Sequence, residues 1–308
     1  MAKFLVWMTR RARWFLLLCA FGLSLPWWGR LLLPGHWGWL LDLAVHWQWL
    51  YAFGVTASAG LLTLRCRHWA WCLPLALLPL LSASPALEKG VAEGASLRLA
   101  SANLYADNIA PGRMRAWLES HPLDLLLLLE ITPQHLALLE TLEDYPWRVL
   151  EPVEGPFGIA LLSRLPLEEA QVMRDGPTPY IEAKIRHEGR ELRVLGLHPM
   201  PPVSVGDLQA RDALFASVAR RSDMPLLVMG DFNATPWSVA FRHMGFAGLK
   251  RASRLLPTWP AVMPAFPGIP IDHVLASAHF VPLQQGRGPF IGSDHYPVVS
   301  TLAWRAAD

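Results

Sequence analysis

The sequence contains little cysteine, and neither positive nor negative charge predominates. All three cysteines, Cys19, Cys66 and Cys72, lie near the amino terminus. The rest of the chain therefore contains no disulfide framework and no thiolate metal site. The 27 basic and 25 acidic residues give a formal net charge of only +2, while 53% of the residues are apolar. This composition excludes an intrinsically disordered chain.

Acidic residues are almost absent from residues 1–84, where seven basic residues accompany a single acidic one, Asp42. The remaining 20 basic and 24 acidic residues give residues 85–308 a net charge of −4. Surfaces that neutralise nucleic-acid phosphates are basic. The charge balance therefore argues against tight, sequence-independent binding of nucleic acid, although it allows a local basic groove.

Three apolar stretches within residues 1–84 predict a membrane region, and ten of the fifteen tryptophans lie in this part. The stretches are residues 14–28, 43–64 and 69–84. Apolar length and tryptophans near the ends are typical of membrane helices. The distribution of Lys and Arg then predicts about three transmembrane helices and an extracytoplasmic carboxyl-terminal domain. A cleaved signal peptide is the alternative, and the two later stretches count against it.

Residues 85–94 predict a linker, and residues 95–308 predict a catalytic domain of the α/β class. Eight short apolar or alternating runs predict strands, at residues 97–105, 123–130, 158–163, 180–187, 191–198, 226–231, 271–276 and 297–304. Helical spacing occurs at residues 111–120, 133–142, 205–221 and 237–243. Residues 180–198 predict an antiparallel hairpin that turns at Glu188-Gly189. We therefore expect mixed sheets with helices between the strands.

Almost every predicted strand ends on a carboxylate, an amide or an imidazole. These residues are Asn103, Glu130, His198, Asp231 with Asn233, Asp272 with His273, and Asp294 with His295. In layered α/β folds, strand ends meet at one edge and form the functional site. Taken singly, Asn103 is also explained as a turn former, Glu130 as a helix cap and His198 as a satisfied strand-end histidine. The coincidence of six such ends favours a site.

The chemistry of this set favours phosphoryl transfer to water. Oxygen donors without cysteine suit Mg²⁺ or Mn²⁺, and Glu130 and Asp294 are the natural ligands. A carboxylate such as Asp272 can orient His295 toward a phosphoryl oxygen. Asp231 can position and deprotonate an attacking water.

Two motifs make the chain recognisable: GDFNATP at residues 230–236 and SDHYPV at residues 293–298. With the strand ends at Asn103, Glu130, His198 and Asp272 in the same order, residues 95–305 resemble the endonuclease/exonuclease/phosphatase superfamily. The resemblance implies a four-layer α/β sandwich, in which two packed mixed or antiparallel sheets are flanked by helices. It also implies a divalent-metal-dependent hydrolase that uses in-line attack of water.

The resemblance implies a role for each position. The metal site would contain Asn103, Glu130 and Asp294, with Glu130 as the direct ligand. The catalytic residues would be His198, Asp231, Asn233, Asp272 and His295. Among them, His198 and Asn233 would contact the phosphate, Asp231 would align the water, and Asp272 would hold the ring of His295, which contacts the scissile phosphate.

The chain departs from the family pattern at Leu129, where nuclease members usually have Gln. Two features are ambiguous: Arg211 is either a phosphate contact or a surface residue, and residues 257–270, with Trp259 and Phe266, form either a hydrophobic lip or a rigid packed loop. We predict a membrane-anchored, Mg²⁺-dependent phosphodiesterase for lipid headgroups or small phosphoesters, in contact with the bilayer through residues 1–84. An extracytoplasmic nuclease and a non-catalytic binding module are the alternatives. No protein partner follows from the sequence.

Overall fold

The computed structural model describes residues 2–108, 112–174, 176–221, 223–263 and 268–307. They separate into two compact units. The helical unit comprises Met1–Ala83 and Pro236–Val239, and the sandwich unit comprises Ser84–Thr235 and Ala240–Asp308.

The helical unit is built around two helices that pack on each other. Its helices are α1 (Ala2–Leu32), α2 (Gly35–Val45), α3 (Gln48–Thr63) and α4 (Leu78–Ser82), and a 3-10 helix covers Arg67–Leu77. Leu16 and Leu23 of α1 are buried together with Val55 and Leu62 of α3. These apolar side chains form two small clusters along the pair of helices.

The predicted membrane location is wrong, because no helix in the described part of the chain is both long and apolar enough to cross a bilayer. A spanning helix needs about 20 apolar residues. α1 is long, but it carries three arginines close together in its first half, at Arg10, Arg11 and Arg13, and Pro26 in its second half. α2 and α3 have 11 and 16 residues. The third predicted stretch divides between the 3-10 helix, which contains Pro74, and the five-residue α4.

The sandwich unit contains the strands and the remaining helices. Its strands are β1 (Ala92–Asn103), β2 (Leu125–Leu129), β3 (Trp147–Glu151), β4 (Ile159–Ser163), β5 (Leu167–Met173), β6 (Tyr180–His187), β7 (Arg190–Leu197), β8 (Leu226–Asp231), β9 (Lys250–Arg251), β10 (Asp272–Ala276), β11 (Phe280–Arg287) and β12 (Val298–Arg305). Its helices are α5 (Gly112–Ser120), α6 (Leu136–Glu140), α7 (Val205–Ala219) and α8 (Ala240–Phe246), and Pro133–His135 is a 3-10 turn. The predicted helix at residues 111–120 is thus observed from Gly112, and Pro111 lies outside the described residues.

The strands form two mixed sheets, as predicted, and each sheet has six strands. Sheet 1 has the order β11-β12-β1-β2-β4-β3, and sheet 2 has the order β5-β6-β7-β8-β10-β9. Each sheet contains a parallel pair, β1 with β2 and β7 with β8, and its other neighbours are antiparallel. The helices between parallel strands account for these two pairs, because a parallel connection must cross the face of the sheet.

The main apolar core lies between the two sheets, and each outer face is covered by helices. The five consecutive leucines of β2 are completely buried. Side chains alternate along a strand, so Leu127 joins Met229 of sheet 2 in the inner core while Leu128 packs with Trp117 of α5. On the outer face of sheet 2, Phe215 of α7 belongs to a third cluster. The sandwich unit therefore has the predicted four layers.

All eight predicted strands are present, and the four strands that the sequence did not reveal, β3, β5, β9 and β11, are the four sheet edges. An edge strand is covered less completely than a central one, so it needs no continuous apolar run. β5 begins LEE and β11 contains two consecutive glutamines. The interior strands are the ones that hydrophobicity can identify.

The predicted hairpin is confirmed as β6 and β7. Its two turn residues, Glu188 and Gly189, both have positive φ, at 53° and 73°. Two central residues with positive φ are typical of the tight turns that match the twist of a hairpin.

The segment predicted as a linker pairs with the edge of sheet 2. Leu87 donates its backbone N–H to the carbonyl of Arg251, and Arg251 donates to the carbonyl of Pro85. The side chain of Arg251 also donates to the carbonyl of Ser84. β1 then begins at Ala92.

Candidate functional site

The polar strand ends lie together at one edge of the sandwich unit. In sheet 1, β1 and β2 are parallel, and Asn103 is in register with Leu129, next to Glu130. In sheet 2, β7 and β8 are parallel, and Asp272 at the start of β10 is in register with Asp231 at the end of β8. The two sheets meet here, because Nδ2 of Asn103 lies 3.4 Å from Oδ2 of Asp231.

We call Asn103, Glu130 and Asp294 the oxygen half of the site. Nδ2 of Asn103 donates to Oε1 of Glu130 at 2.8 Å, while its Oδ1 accepts the backbone N–H of Tyr105 at 2.9 Å. Asn103 therefore forms a turn and also contacts Glu130. The alternative role of Glu130 as a helix cap is wrong, since the following turn is capped by Thr132.

Glu130 has a positive φ of 57°, which non-glycine residues rarely adopt. Its Oε2 accepts the backbone N–H of Ala106 at 3.0 Å. The carboxylate of Glu130 thus has a second hydrogen-bond donor besides Asn103. Leu129, which stands where the nucleases usually have Gln, has no side-chain donor to offer. Burial is the main factor that raises the pKa of Glu130, and the charge of Asp294 raises it further.

Asp294 is held by an indole. Nε1 of Trp259 donates to its Oδ2 at 3.1 Å. Its Oδ1 is buried and has no hydrogen-bond partner among the described residues. A buried carboxylate oxygen without a donor is costly unless a cation or another donor compensates it.

We call His198, Asp231, Asp272 and His295 the imidazole half of the site. All four are at least 95% buried. Nδ1 of His295 donates to Oδ2 of Asp272 at 2.9 Å. This bond turns Nε2 of His295 toward Asp231, whose Oδ2 lies 3.7 Å from Nε2 of both His295 and His198. These 3.7 Å separations exceed a hydrogen bond.

The backbone fixes Asp231 from both sides. Gly230 has a φ of 151°, and a Cβ at this position would lie 1.9 Å from the carbonyl oxygen of Leu197. Only glycine therefore fits before Asp231, where β8 lies against β7. After the strand, the backbone N–H of Asn233 donates to Oδ1 of Asp231 at 2.9 Å.

The two imidazoles that face Asp231 have opposite protonation preferences. The charges of Asp272 and Asp231 outweigh burial and raise the pKa of His295 to about 10. Burial, together with the charge of His295, lowers the pKa of His198 to about 4. Burial first, and then the charge of Asp272, raise the pKa of Asp231 to about 7. At neutral pH the site thus contains one cationic and one neutral imidazole, and an aspartate poised to exchange a proton.

Asn233 uses one amide hydrogen within the protein, because Nδ2 donates to the carbonyl of Pro199 at 3.0 Å. An amide nitrogen carries two hydrogens, so one remains for a ligand. The backbone of this loop is held by two buried side chains: Nη1 of Arg211 lies 2.9 Å from the carbonyl of Asn233, and Nε2 of His273 lies 3.0 Å from that of Ala234.

The structure resolves the ambiguity of Arg211 against a surface location, because this side chain is completely buried. Its guanidinium contacts Asp212 and the loop that carries Asn233. Nothing in the local sequence marks this contact, since the two residues are 22 positions apart.

Sequence reasoning also missed the roles of Thr258 and Phe157. Oγ1 of Thr258 accepts the backbone N–H groups of Ile271 and Asp272, 13 and 14 residues further along the chain. The ring of Phe157 packs beside that of His198, with centroids 5.6 Å apart. Residues 258–261 form close contacts rather than a free lip, and Phe266 lies outside the described residues.

Among the described residues, the imidazole half and the oxygen half are the two candidates for holding a cation. One ligand atom from each of Asp231, Asp272 and His295 lies within 4.8 Å of the others. However, Asp272 is paired with Nδ1 of His295, and a protonated imidazole is not a ligand. The oxygen half fits a cation better. Oδ1 of Asp294 is buried and has no hydrogen-bond partner among the described residues, and burial raises the pKa of the Glu130 carboxylate. The all-oxygen composition of this half suits Mg²⁺ or Mn²⁺.

Comparison with known proteins identifies the family of the chain. The model of the Endonuclease/Exonuclease/phosphatase family matches residues 100–295. No curated protein shows significant sequence similarity to the chain.

Several solved structures share the fold. An endonuclease/exonuclease/phosphatase from Bacteroides vulgatus has a TM-score of 0.59 at 17% identity, and the match covers 69% of this chain and all of that one. D. rerio TDP2, complexed with a single-strand DNA product, has a TM-score of 0.57 at 15% identity over 68% of this chain and 99% of that one. The 3′ phosphatase NExo from Neisseria, bound to a product DNA hairpin, has a TM-score of 0.55 at 18% identity over 68% of this chain and all of that one.

Proposed function

Since the chain belongs to the endonuclease/exonuclease/phosphatase family, we propose that it is a divalent-metal-dependent phosphohydrolase in which water attacks a phosphoester directly. One observation carries the proposal: Oδ2 of Asp231 faces Nε2 of two imidazoles at 3.7 Å, and Asp272 orients one of them. A carboxylate between two imidazoles offers a proton acceptor beside groups that bind a phosphoryl oxygen.

Asp231 is the proposed general base. In the reaction a bond forms between the water oxygen and phosphorus, the bond to the leaving oxygen breaks, and the water proton passes to Asp231. Its pKa of about 7 supports this role, because a base with a pKa near the working pH is efficient. Its backbone partners keep the carboxylate in place while it accepts the proton.

His295 and His198 are the proposed phosphate contacts. The cationic ring of His295 attracts the negative charge that develops on the phosphoryl oxygens, and Asp272 keeps it protonated and aligned. His198 presents a neutral ring to the same carboxylate oxygen of Asp231. The free amide hydrogen of Asn233 is a third donor.

Glu130 and Asp294 are the proposed ligands of Mg²⁺ or Mn²⁺, and Asn103 orients Glu130. When bound, the cation supplies positive charge that stabilises the phosphoryl group in the transition state. The raised pKa of Glu130 and the donorless oxygen of Asp294 support this assignment.

Small phosphoesters are the first substrate class to test. The preference for lipid headgroups rested partly on the membrane location, and it loses that part of its support with the correction above. A nuclease is the second candidate, favoured by the DNA products bound to two of the structural neighbours. The net charge of −4 in residues 85–308 remains an argument against tight binding of long nucleic acids.

The test is an assay of the full chain against bis(p-nitrophenyl) phosphate, short DNA with a 3′ phosphate, plasmid DNA and inositol phosphates, each with Mg²⁺ or with EDTA. We expect chelator-sensitive hydrolysis of at least one substrate and its loss in Asp231→Asn. Asp223→Asn is the matched control, because this aspartate is 69% exposed and pairs with Arg193 outside the site. Folded protein that cleaves none of them would favour a binding module instead.

A further inference from the structure

Residues 258–261 connect two parts of the site that come from distant points in the chain. The side chains of Thr258 and Trp259 point to different partners. Oγ1 of Thr258 accepts the backbone N–H groups of Ile271 and Asp272, both at 3.2 Å. Nε1 of the adjacent Trp259 donates to Oδ2 of Asp294 at 3.1 Å.

The backbone of this segment is bonded on both sides. Tyr296 donates its N–H to the carbonyl of Thr258 at 2.9 Å, and Ala261 donates to the carbonyl of Asp294 at 2.6 Å. On the other side, Trp259 and Ile269 exchange a pair of backbone hydrogen bonds of 3.1 and 2.7 Å. Neighbouring Gly268 lies so close that a Cβ would be 2.3 Å from the carbonyl oxygen of Trp259. The segment is therefore a fixed element against which the loop before β12 and the start of β10 are both aligned.

We propose that Thr258 and Trp259 are positioning residues that act on separate halves of the site. Trp259 orients the carboxylate of Asp294 toward the cation, and Thr258 fixes the backbone at Asp272, which holds His295. This inference rests on the proposed function, and it adds two residues to which no role had been assigned.

The effect of Trp259 follows from the two oxygens of Asp294. The indole N–H occupies Oδ2, while the buried Oδ1 has no hydrogen-bond partner among the described residues. The indole thus fixes which oxygen of Asp294 would be left to hold a cation. Without the N–H the carboxylate can rotate, and outer partners of this kind commonly change metal affinity by about 10-fold to 100-fold.

The effect of Thr258 follows from burial. The residue is 2% exposed, and its hydroxyl accepts two buried backbone N–H groups at the first residues of β10. Valine has the same shape but no acceptor, so both N–H groups would lose their partner. The start of β10 carries Asp272, whose 2.9 Å bond to Nδ1 of His295 depends on that backbone position.

The test compares Mn²⁺ affinity and turnover in Trp259→Phe and Thr258→Val. Mn²⁺ binding is measured by the electron paramagnetic resonance signal of the free ion, without substrate. We expect Trp259→Phe to raise the Kd for Mn²⁺ about 10-fold, with kcat at saturating Mn²⁺ close to wild type. We expect Thr258→Val to leave the Kd unchanged and to lower kcat about 10-fold, and Thr258→Ser, which keeps the hydroxyl, to restore it.

The inference would be overturned by unchanged Mn²⁺ affinity in Trp259→Phe, or by equal losses of affinity and kcat in both variants. Circular dichroism and thermal unfolding establish that each variant is folded. Should Trp259→Phe not fold, Trp259→His keeps a ring N–H, and a large loss of Mn²⁺ affinity in this folded variant would count against the proposal. If the wild type cleaves no phosphoester, the proposed function fails, while the Mn²⁺ titration still decides the role of Trp259.

Discussion

The two halves of the site differ in chemistry and in how their charges are balanced. The oxygen half offers amide and carboxylate groups, and among the described residues no basic side chain is hydrogen-bonded to its half-buried carboxylates. The imidazole half balances its charges internally, because His295 lies between Asp272 and Asp231. The adjacent residues Asp294 and His295 belong to different halves. The comparison supports the proposal that a cation binds in the oxygen half, because the imidazole half already contains its own cationic group in His295.

The largest expected effect is that of His295→Ala. Removing the cationic ring takes away the positive charge beside the proposed base and lowers kcat by about 10³-fold. The half-saturating Mg²⁺ concentration remains close to wild type, because the ring is not a proposed ligand. Steady-state kinetics over a range of Mg²⁺ concentrations measures both quantities.

His121→Ala is the control for this change, since His121 is exposed at the end of α5. A loss of Mg²⁺ affinity in His295→Ala with little change in kcat would assign the cation to the imidazole half.

Asp272→Asn gives the next largest effect, a loss of about 10²-fold in kcat, together with a change in pH dependence. In the wild type, kcat/KM rises with pH as Asp231 loses its proton near pH 7 and falls as His295 loses its proton near pH 10. The charge of Asp272 raises both of these pKa values. Its removal therefore moves both limbs of the profile to lower pH.

Measurement of kcat/KM from pH 5 to 11 checks this shift. If the pH dependence of kcat/KM is unchanged in Asp272→Asn, Asp231 and His295 do not control it.

Glu130→Gln tests the oxygen half of the site. The amide loses the negative charge that holds the cation, so the half-saturating Mg²⁺ concentration rises about 10-fold or more. At saturating Mg²⁺ much of the activity returns, because the imidazole half is intact. Glu119→Gln is the matched control, since Glu119 is exposed on α5 and pairs with Arg115. An unchanged Mg²⁺ requirement would remove Glu130 from the metal site.

The smallest effect is expected for Arg211→Lys. A lysine keeps the charge, but its single nitrogen cannot reproduce contacts that Arg211 makes from separate nitrogens, Nη1 to the carbonyl of Asn233 and Nε and Nη2 to Asp212. The loss of a buried hydrogen bond costs about 1–3 kcal/mol of unfolding free energy. Denaturant unfolding measures this cost, and we expect kcat to fall only several-fold. Wild-type stability and kcat would show that the loop of Asn233 is held by other contacts.

The sequence predicted the interior of the sandwich better than its boundaries. Interior strands such as β2 are apolar on both faces, so they appear in the sequence as continuous apolar runs. Edge strands such as β5 and β11 are held by backbone pairing and leave polar side chains exposed, so their identity depends on neighbours that are distant in sequence. The membrane prediction failed because it rested on the apolar composition of residues 1–84. That composition does not determine how long each helix is, and no described helix is both long and apolar enough to cross a bilayer.

The same limit applies to the site. The strand ends that carry Glu130, Asp231 and His295 could be found because side-chain chemistry and motif order mark them. The sequence marked residues 257–270 only as a lip or a packed loop, and the positioning roles proposed for Thr258 and Trp259 could not be found, because they consist of hydrogen bonds to partners 13 to 35 residues away. These contacts are seen only in the folded structure, because no short stretch of sequence contains both partners.

The most direct test of the division between the two halves is a Mn²⁺ titration of the wild type, Glu130→Gln and Asp231→Asn, followed by electron paramagnetic resonance in the absence of substrate. We predict that Glu130→Gln weakens Mn²⁺ binding about 10-fold or more and that Asp231→Asn binds it nearly as the wild type does, although it is inactive. Retained binding in Glu130→Gln and lost binding in Asp231→Asn would contradict the account, because it would place the cation among Asp231, Asp272 and His295.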